Sequence, residues 1–334
     1  MSDSKIRIAI IGCGAVTEKA HLPALRLLAG VQVAVLVDVN LTRAERLARE
    51  FSVPRAATDF HAYYDEFDAA IVALPHALHA AASIALLEHG KAVLVEKPMA
   101  NTVAECEAMM AAAARGRAVL AVGLMRRFLW AHQSVNRLIA GGSLGAIERF
   151  DFQEGSIFNW PVASDFQFRK ESAGGGVLMD TGSHTLDCLL HWLGEWESVE
   201  YFDDAEGGVE ANCLLNLKLR SGAEGTVELS RTRRLRGTGL IYGKVATVEV
   251  ATWGNRLSLS PTGTSYIVRG EVTNQDTPTK IQGDVDKIRE ELQDWCNAIE
   301  FGRPCQVSGA EGIRSIRLIE TCYRNARPLR FAWD

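Results

Sequence analysis

Long hydrophobic runs, paired cysteines and a surplus of basic residues are all missing from this 334-residue sequence. No apolar run approaches the ~20 residues that a membrane-spanning helix needs, so we expect no membrane partner. The seven cysteines are scattered without a CxxC pair, which favours reduced thiols over a disulfide framework. The net charge of −5 argues against a nucleic-acid partner, because such binders normally carry a basic surplus.

Length and composition predict two ordinary globular domains. A chain of 334 residues corresponds to about two domains, each large enough for its own core. Hydrophobic residues make up 47% of the chain and charged residues 23%, the proportions of a soluble protein. The first seven residues have no signal-peptide pattern and lead straight into an apolar run, so we expect a cytoplasmic protein.

The first apolar run, Ile6–Ile11, predicts a buried parallel strand that ends in a glycine turn. Gly12 and Gly14 allow a tight turn, and a helical pattern follows through Leu28, so a pyrophosphate can sit at the helix start. Thr17 occupies the place where a third glycine or alanine is usual. The cofactor contacts predicted in this turn are Gly12, Cys13, Gly14, Ala15 and Val16.

A second predicted strand, Val31–Val37, ends at an acidic residue. Asp38 stands about as far downstream of the glycine turn as the acidic residue that binds the adenine ribose diol in dinucleotide-binding domains. Because a carboxylate there repels a 2′-phosphate, we expect NAD as the cofactor. Arg43 lies close enough in sequence to keep NADP as the alternative.

Two further strands end at the same predicted edge of the sheet. The strand at 69–74 is followed by Pro75, which bends the chain over the carboxyl edge where open α/β sheets bind ligands. The strand at 92–95 is followed by Lys97, whose amine can exchange protons with a hydroxyl or carbonyl group. The cofactor contacts predicted here are Leu74, Pro75, His76, His79, Glu96 and Lys97.

Three of these residues also have a purely structural interpretation. Asp38 could cap the helix that follows it, although the glycine turn favours the cofactor role. His79 could equally cap its own helix, and both interpretations stay open. Lys97 could form a salt bridge with Glu96, although neighbouring side chains on a strand point to opposite faces.

Residues 174–187 contain three consecutive glycines and a predicted helix start. The glycines allow the backbone to approach something bulky, and the helix start exposes unpaired N–H groups and a positive dipole end. Asp180 and His184 are four residues apart and share one helix face, so the carboxylate can orient the imidazole and favour its charged form. The alternative is an ordinary surface Asp–His pair.

The second half of the chain predicts a mainly antiparallel sheet, because strands such as 226–230 and 247–251 alternate apolar and polar residues. The long connection at 155–172 predicts a pocket wall or lid. Two amphipathic helices, at 286–300 and 311–324, are expected to cover this sheet, with packing back on the cleft between the two domains as the alternative. The substrate contacts predicted from the wall and its surroundings are Met125, Trp160 and Arg169, with core or surface packing as the alternative.

The only basic run of the chain consists of Arg231, Arg233, Arg234 and Arg236. Such a run is typical of a solvated edge or an interface between subunits. The alternative is a binding surface for an anionic substrate such as a nucleotide sugar.

In their order and spacing these motifs resemble the glucose–fructose oxidoreductase/inositol dehydrogenase (Gfo/Idh/MocA) family over nearly the whole chain. The resemblance implies an α/β fold, with an N-terminal Rossmann domain (a doubly wound parallel sheet) at 1–124. It implies a C-terminal α/β domain with a large open, mainly antiparallel sheet at 125–334, and a homodimer or homotetramer formed through that sheet. The matching motifs are Gly12-Cys13-Gly14-Ala15, Pro75…His79, Glu96-Lys97-Pro98, Gly123…Arg127-Phe128, Gly174-Gly175-Gly176…Asp180…His184…Asp187 and the closing helix pair.

The resemblance also implies the chemistry. Lys97, Asp180 and His184 are the implied catalytic residues, and Arg127 is an implied cofactor contact. We expect reversible hydride transfer between the nicotinamide of NAD, or of NADP, and a hydroxyl or keto carbon of a sugar, polyol or sugar derivative. His184 would remove or return the hydroxyl proton while Lys97 stabilises the charge on the same oxygen.

Other functions remain open on this fold. A hydrolase or lyase with tightly held NAD would oxidise a sugar transiently with the same residues. A non-catalytic regulator that senses NAD or a sugar would be expected to lack Lys97, Asp180 or His184. A metal site built from the acids and histidines of this helix would face the charge of Lys97 and lacks the HExxH spacing, so we expect no metal.

Overall fold

The computed structural model describes residues 5–159, 161, 165–263, 268–271 and 284–330. Within these residues the chain forms a parallel sheet from its first third and a larger mixed sheet from the rest. The predicted α/β fold class, with a parallel sheet followed by a mainly antiparallel one, is therefore confirmed.

The parallel sheet consists of β1 (Ile6–Ile11), β2 (Val31–Val37), β3 (Arg55–Ala57), β4 (Ala69–Val72), β5 (Ala92–Glu96) and β6 (Leu120–Gly123). Its strand order is β3-β2-β1-β4-β5-β6. β4 and β6 are completely buried, and β1, β2 and β5 are buried except at one end, which explains why they are nearly continuous apolar runs. The order reverses between β1 and β4, and ligands of open α/β sheets bind at the carboxyl ends beside such a switch point.

The helices around this sheet begin at recognisable signals. The segment after the glycine turn contains a π turn, Thr17–His21, followed by α1 (Leu22–Leu25), so the helix ends before Leu28, where the sequence predicted it. Three longer helices follow, α2 (Leu41–Phe51), α3 (His79–Glu88) and α4 (Val103–Gly116). A capping box at the start of α4 satisfies its first N–H groups.

The second half contributes α5 (Trp130–Ala140), β7 (Ile147–Gly155), α6 (Lys170–Ala173), α7 (Ser183–Leu193), β8 (Trp196–Asp203), β9 (Asn212–Leu219), β10 (Glu224–Ser230), β11 (Thr238–Gly243), β12 (Ala246–Ala251), β13 (Arg256–Pro261), β14 (Val268–Glu271), α8 (Asp284–Phe301), α9 (Gly309–Arg324) and β15 (Arg327–Pro328). The strand order is β14-β13-β12-β11-β7-β10-β9-β8-β15. Neighbours are antiparallel except for the pairs β7–β10 and β8–β15. Among the helices of the described residues, none is long and apolar enough to cross a membrane.

The sequence predicted that both closing helices cover the second sheet, but the structure shows a different packing for them. Helix α8 places Ile288, Leu292 and Trp295 in the core cluster of the first sheet, together with Ile8 and Ile10. Helix α9 packs against α4 and α7 and touches strands of both sheets. An amphipathic pattern shows that one face of a helix is buried, but it does not show which sheet buries that face.

The position of α8 can be tested by truncating its largest buried side chain. Trp295→Ala should lower the free energy of unfolding by about 3–5 kcal/mol, because the indole is 1% exposed and leaves a cavity. Phe301→Ala, on the same helix but 67% exposed, is the matched control and should cost less than about 0.5 kcal/mol. Equal losses in urea denaturation would contradict this packing.

Candidate active site

The glycine turn after β1 has the geometry of a phosphate cradle. Gly12 has a φ of +106°, and a Cβ there would lie 2.2 Å from the carbonyl oxygen of Ala73, so only glycine fits. Gly14 has open space where a Cβ would be. Thr17 is buried and donates its hydroxyl to the Gly12 carbonyl at 2.7 Å, which replaces the packing of the usual third glycine. The helical segment after the turn begins with Ala15 and Val16.

Asp38, just after β2, is bound to the glycine turn itself. Its carboxylate accepts hydrogen bonds from the backbone N–H groups of Cys13 and Asn40, both at 2.8 Å. The helix-cap interpretation of Asp38 is wrong, because the side chain of Asn40 caps α2. The guanidinium of Arg43 lies 3.5 Å from the Asp38 carboxylate. Arg43, on which the NADP alternative depends, therefore lies next to Asp38.

Two buried histidines fix the chain after β4, around Pro75. The ring nitrogens of His79 lie 2.8 Å from the carbonyl oxygens of Leu74 and Pro98. Nδ1 of His76 lies 2.8 Å from the last carbonyl oxygen of α6, and burial lowers the pKa of His76 to about 3. Both rings therefore hold backbone segments at the sheet edge, and no side-chain cap is formed by His79.

Glu96 and Lys97, at the end of β5, have different partners. The Glu96 carboxylate accepts from Nε2 of His21 at 2.9 Å and from the backbone N–H of Lys97 at 3.1 Å. Burial alone would raise the pKa of Glu96, but the hydrogen bond and charge of His21 hold it below its usual range. The ammonium group of Lys97 bonds instead to the Asp180 carboxylate. The alternative of a Lys97–Glu96 salt bridge is therefore wrong.

Asp180 lies between two cations. One carboxylate oxygen bonds to Lys97, and the other accepts from Arg231 at 2.9 Å. Burial alone would raise the pKa of Asp180, but the charges of Lys97 and Arg231 hold it well below its usual range. The prediction of a solvated basic edge is thus wrong for Arg231, which is 9% exposed. Arg233 and Arg236 pair with nearby carboxylates.

The three consecutive glycines allow the backbone to approach other parts of the protein closely, as the sequence predicted. A Cβ on Gly175 would lie 2.0 Å from the Tyr323 hydroxyl, and one on Gly176 would lie 1.9 Å from a Glu210 backbone oxygen. The buried Glu210 carboxylate accepts from the N–H groups of Gly176 and Leu178, both at 2.8 Å. The Tyr323 hydroxyl donates to the same carboxylate at 2.8 Å. The N–H groups at this helix start therefore bind the side chain of Glu210, which is too distant in the chain for a local motif to predict it.

Asp180 does not orient His184, contrary to the expectation from sequence. Asp180 lies in a π turn, Leu178–Gly182, and its two carboxylate oxygens bond to Lys97 and Arg231 instead of to the imidazole. Nδ1 of His184 is buried without a hydrogen-bond partner. Burial, together with the charges of Arg126 and Lys97, holds the pKa of His184 well below its usual value. The imidazole is therefore neutral near pH 7 and can accept a proton.

The sequence did not predict a buried polar network that lies beside His184. Arg126 and Glu154 form a two-bonded ion pair at 2.6 and 2.8 Å, and the Thr185 hydroxyl donates to Glu154 at 2.7 Å. The indole N–H of Trp253 donates to the same carboxylate at 2.7 Å. These residues come from separate parts of the chain, so no spacing pattern connects them.

The side chain of Arg127 is buried and forms ion pairs inside the protein. Its guanidinium bonds to Asp187 at 2.5 and 2.8 Å and to Glu311 at 2.7 Å, and its side chain is 2% exposed. This geometry does not support the predicted cofactor contact, because these donors join α7 to α9. Asp187 and His191 thus face Arg127, and the described residues contain no group of three or more His, Cys, Asp and Glu that could hold a metal ion.

Of the predicted substrate contacts, Met125 and Arg169 lie in different surroundings. Met125 is 7% exposed and packs in the core cluster that α8 covers, which does not support a pocket-wall role. Arg169 is exposed and donates to Asp165 at 2.7 Å, which corresponds to the surface alternative. Trp160 lies outside the described residues.

A glycine turn after β1, an acidic residue after β2 and the strand order of the parallel sheet are typical of a dinucleotide-binding Rossmann domain. Residues 6–124 match the oxidoreductase family with an NAD-binding Rossmann fold, and residues 136–330 match that family's C-terminal alpha/beta domain. The chain therefore belongs to the Gfo/Idh/MocA oxidoreductase family.

Individual relatives act on several kinds of substrate. The 4-carboxy-2-hydroxymuconate-6-semialdehyde dehydrogenase of Sphingobium sp. is 30% identical over 230 residues, covering 67% of this chain and 72% of the relative. The scyllo-inositol 2-dehydrogenase (NAD(+)) of Bacillus subtilis is 30% identical over 247 residues, covering 69% and 68%. The structure of levoglucosan dehydrogenase in complex with NADH superposes with a TM-score of 0.86, at 22% identity, covering 97% of this chain and 98% of that chain. This last likeness concerns the fold alone.

The buried histidines predict a pH dependence of stability. The pKa of His76 and of His132 is lowered to about 3 by burial, and that of His184 is also lowered, from an ordinary value of 6.5. Below about pH 6.5 the unfolded chain binds protons at these sites while the folded chain does not. Their contribution to stability is therefore complete above that pH and is lost as the pH falls, by about 1.4 kcal/mol per pH unit for each histidine.

Urea denaturation between pH 7 and pH 5 measures this slope. His132→Asn removes one of the three histidines and should reduce the slope by about 1.4 kcal/mol per pH unit. An unchanged slope in that variant would contradict the neutral, buried state of the ring.

Proposed function

We propose that this oxidoreductase transfers a hydride between NAD and a hydroxyl or keto carbon of a sugar, a polyol or a sugar derivative. The observation that supports the proposal is the bond between the Lys97 ammonium group and the Asp180 carboxylate just after β5, with the buried His184 four residues beyond Asp180 in the chain. The carbohydrate substrates of relatives such as the inositol dehydrogenase support the substrate class.

The chain's own residues fit the cofactor. NAD, when bound, takes up or returns the hydride of the reacting carbon. Gly12 and its neighbours would hold the pyrophosphate, because Gly12 allows the tight turn and Gly14 leaves open space where a Cβ would be. Asp38 would hold the adenine ribose and disfavour a 2′-phosphate. His76 and His79 would act through the backbone that they fix, and Glu96 would act through the backbone of Lys97.

The proton steps follow from the charges of the site. The neutral imidazole of His184 accepts the hydroxyl proton during oxidation and returns it during reduction. The ammonium group of Lys97 donates a hydrogen bond to the same oxygen and stabilises its negative charge. Asp180, held by Arg231, keeps Lys97 in place.

We also propose a cytoplasmic homodimer or homotetramer. On β9 the outward side chains of Asn216 and Lys218 are exposed, which leaves this face of the second sheet open for a second copy. The cysteines of the chain are all free, as expected in a reducing compartment. Light scattering on the purified protein tests the assembly, and a single-chain mass would contradict it.

An absorbance scan at 340 nm tests the activity. Purified protein is mixed with NAD or NADP and a panel of inositols, aldoses, nucleotide sugars and open-chain polyols. Growth of reduced cofactor supports the proposal, and a preference for NAD supports the role of Asp38. If no reduced cofactor forms but denaturation releases NAD, the hydrolase or lyase with transient redox chemistry is favoured instead. If no reduced cofactor forms and no cofactor is released, a sensor is favoured.

Two replacements test the assigned residues. Lys97→Met and His184→Asn should each lower kcat by about 10²–10⁴, because each removes a group that handles the proton or charge of the reacting oxygen. The control is Lys5→Met, an exposed lysine just before β1 and at the opposite end of that strand from the glycine turn, which should keep the full rate. Steady-state rates at saturating NAD provide the comparison, and full activity in either site variant would refute its role.

A further inference from the structure

Trp253 follows β12 and is exposed to solvent, although its ring contacts the buried ring of His184. The residue is 48% exposed, while His184 is 5% exposed. Their ring centroids lie 5.9 Å apart with an interplanar angle of 73°, so the two rings meet edge to face. The proposed mechanism gives the indole no role.

The indole is held in one orientation by buried groups. Its N–H donates to Glu154 at 2.7 Å, and that carboxylate is fixed by Arg126 and by Thr185. Burial alone would raise the pKa of Glu154, but the charge of Arg126 holds it below its usual range, so the acceptor is a carboxylate. A buried ion pair thus sets the plane of a ring that is itself half exposed.

One side of the ring faces the protein. The guanidinium carbon of Arg126, a residue 1% exposed, lies 4.2 Å from the centroid of the indole. The ammonium group of Lys287, on α8, lies 5.4 Å from the same centroid. The indole thus contacts His184 and carries two cations over its ring, and about half of its surface remains open to solvent.

We propose that Trp253 is the platform on which a cyclic substrate stacks, with its reacting hydroxyl directed to His184. This inference rests on the proposed function and deepens it. A pyranose or inositol ring presents an apolar C–H face to an aromatic plane, while its hydroxyl groups lie at the rim within reach of polar donors. An open-chain polyol or acid has no such face, so the platform selects cyclic polyols and sugars.

Two variants separate the flat aromatic surface from simple apolar bulk. Trp253→Phe keeps an aromatic plane and should change KM for the best cyclic substrate by less than about threefold. Trp253→Leu fills space without a plane and should raise that KM roughly 10- to 100-fold. In both variants kcat should change less than KM. The control is Phe301→Leu, an exposed aromatic replacement on α8, which should leave KM unchanged.

The readouts keep this inference distinct from the proposed function. Titration with NADH checks that each variant binds cofactor as the unaltered enzyme does. If the unaltered enzyme oxidises no member of the panel, the proposed function fails. If it oxidises cyclic substrates and Trp253→Leu keeps the same KM, or if open-chain polyols are used as well as rings, the platform is overturned while the oxidoreductase assignment stands.

Discussion

The carboxylate of Asp180 joins three separate parts of the chain through charge. Lys97 comes from the end of β5, Asp180 from the π turn before α7, and Arg231 from the residue after β10. Loss of one partner from a shielded ion pair leaves an uncompensated charge, which is far more costly than loss of an exposed pair. The position of the reactive amine and the contact between the two sheets' edges therefore depend on the same group.

The charges around this carboxylate also set the state of the neighbouring histidine. Burial, and then the charges of Arg126 and Lys97, lower the pKa of His184, so the imidazole stays neutral. Glu154 balances Arg126 from within the protein. The protonation state of His184 is thus set by its environment rather than by a direct Asp–His hydrogen bond.

Sequence patterns predicted what is local and periodic. The buried strands, the glycine cradle and the place of Asp38 all followed from short runs and spacing, because a strand, its turn and its helix are adjacent in the chain. The Asp180–His184 pair was predicted wrongly, because the Asp180 carboxylate bonds to Lys97 and Arg231, which come from distant parts of the chain. Glu210, Arg231 and Trp253 reach the site from distant elements, and only the assembled fold brings them there.

Single-turnover kinetics of Asp180→Asn test the central claim most directly. The variant removes the negative charge but keeps the size of the side chain, and rapid mixing with NAD and substrate follows hydride transfer at 340 nm. The account predicts a transfer rate at least ~100-fold below that of the unaltered enzyme, because Lys97 loses the partner that places it. It also predicts an unchanged Kd for NAD. An unaltered transfer rate, or a loss confined to cofactor affinity, would contradict the account.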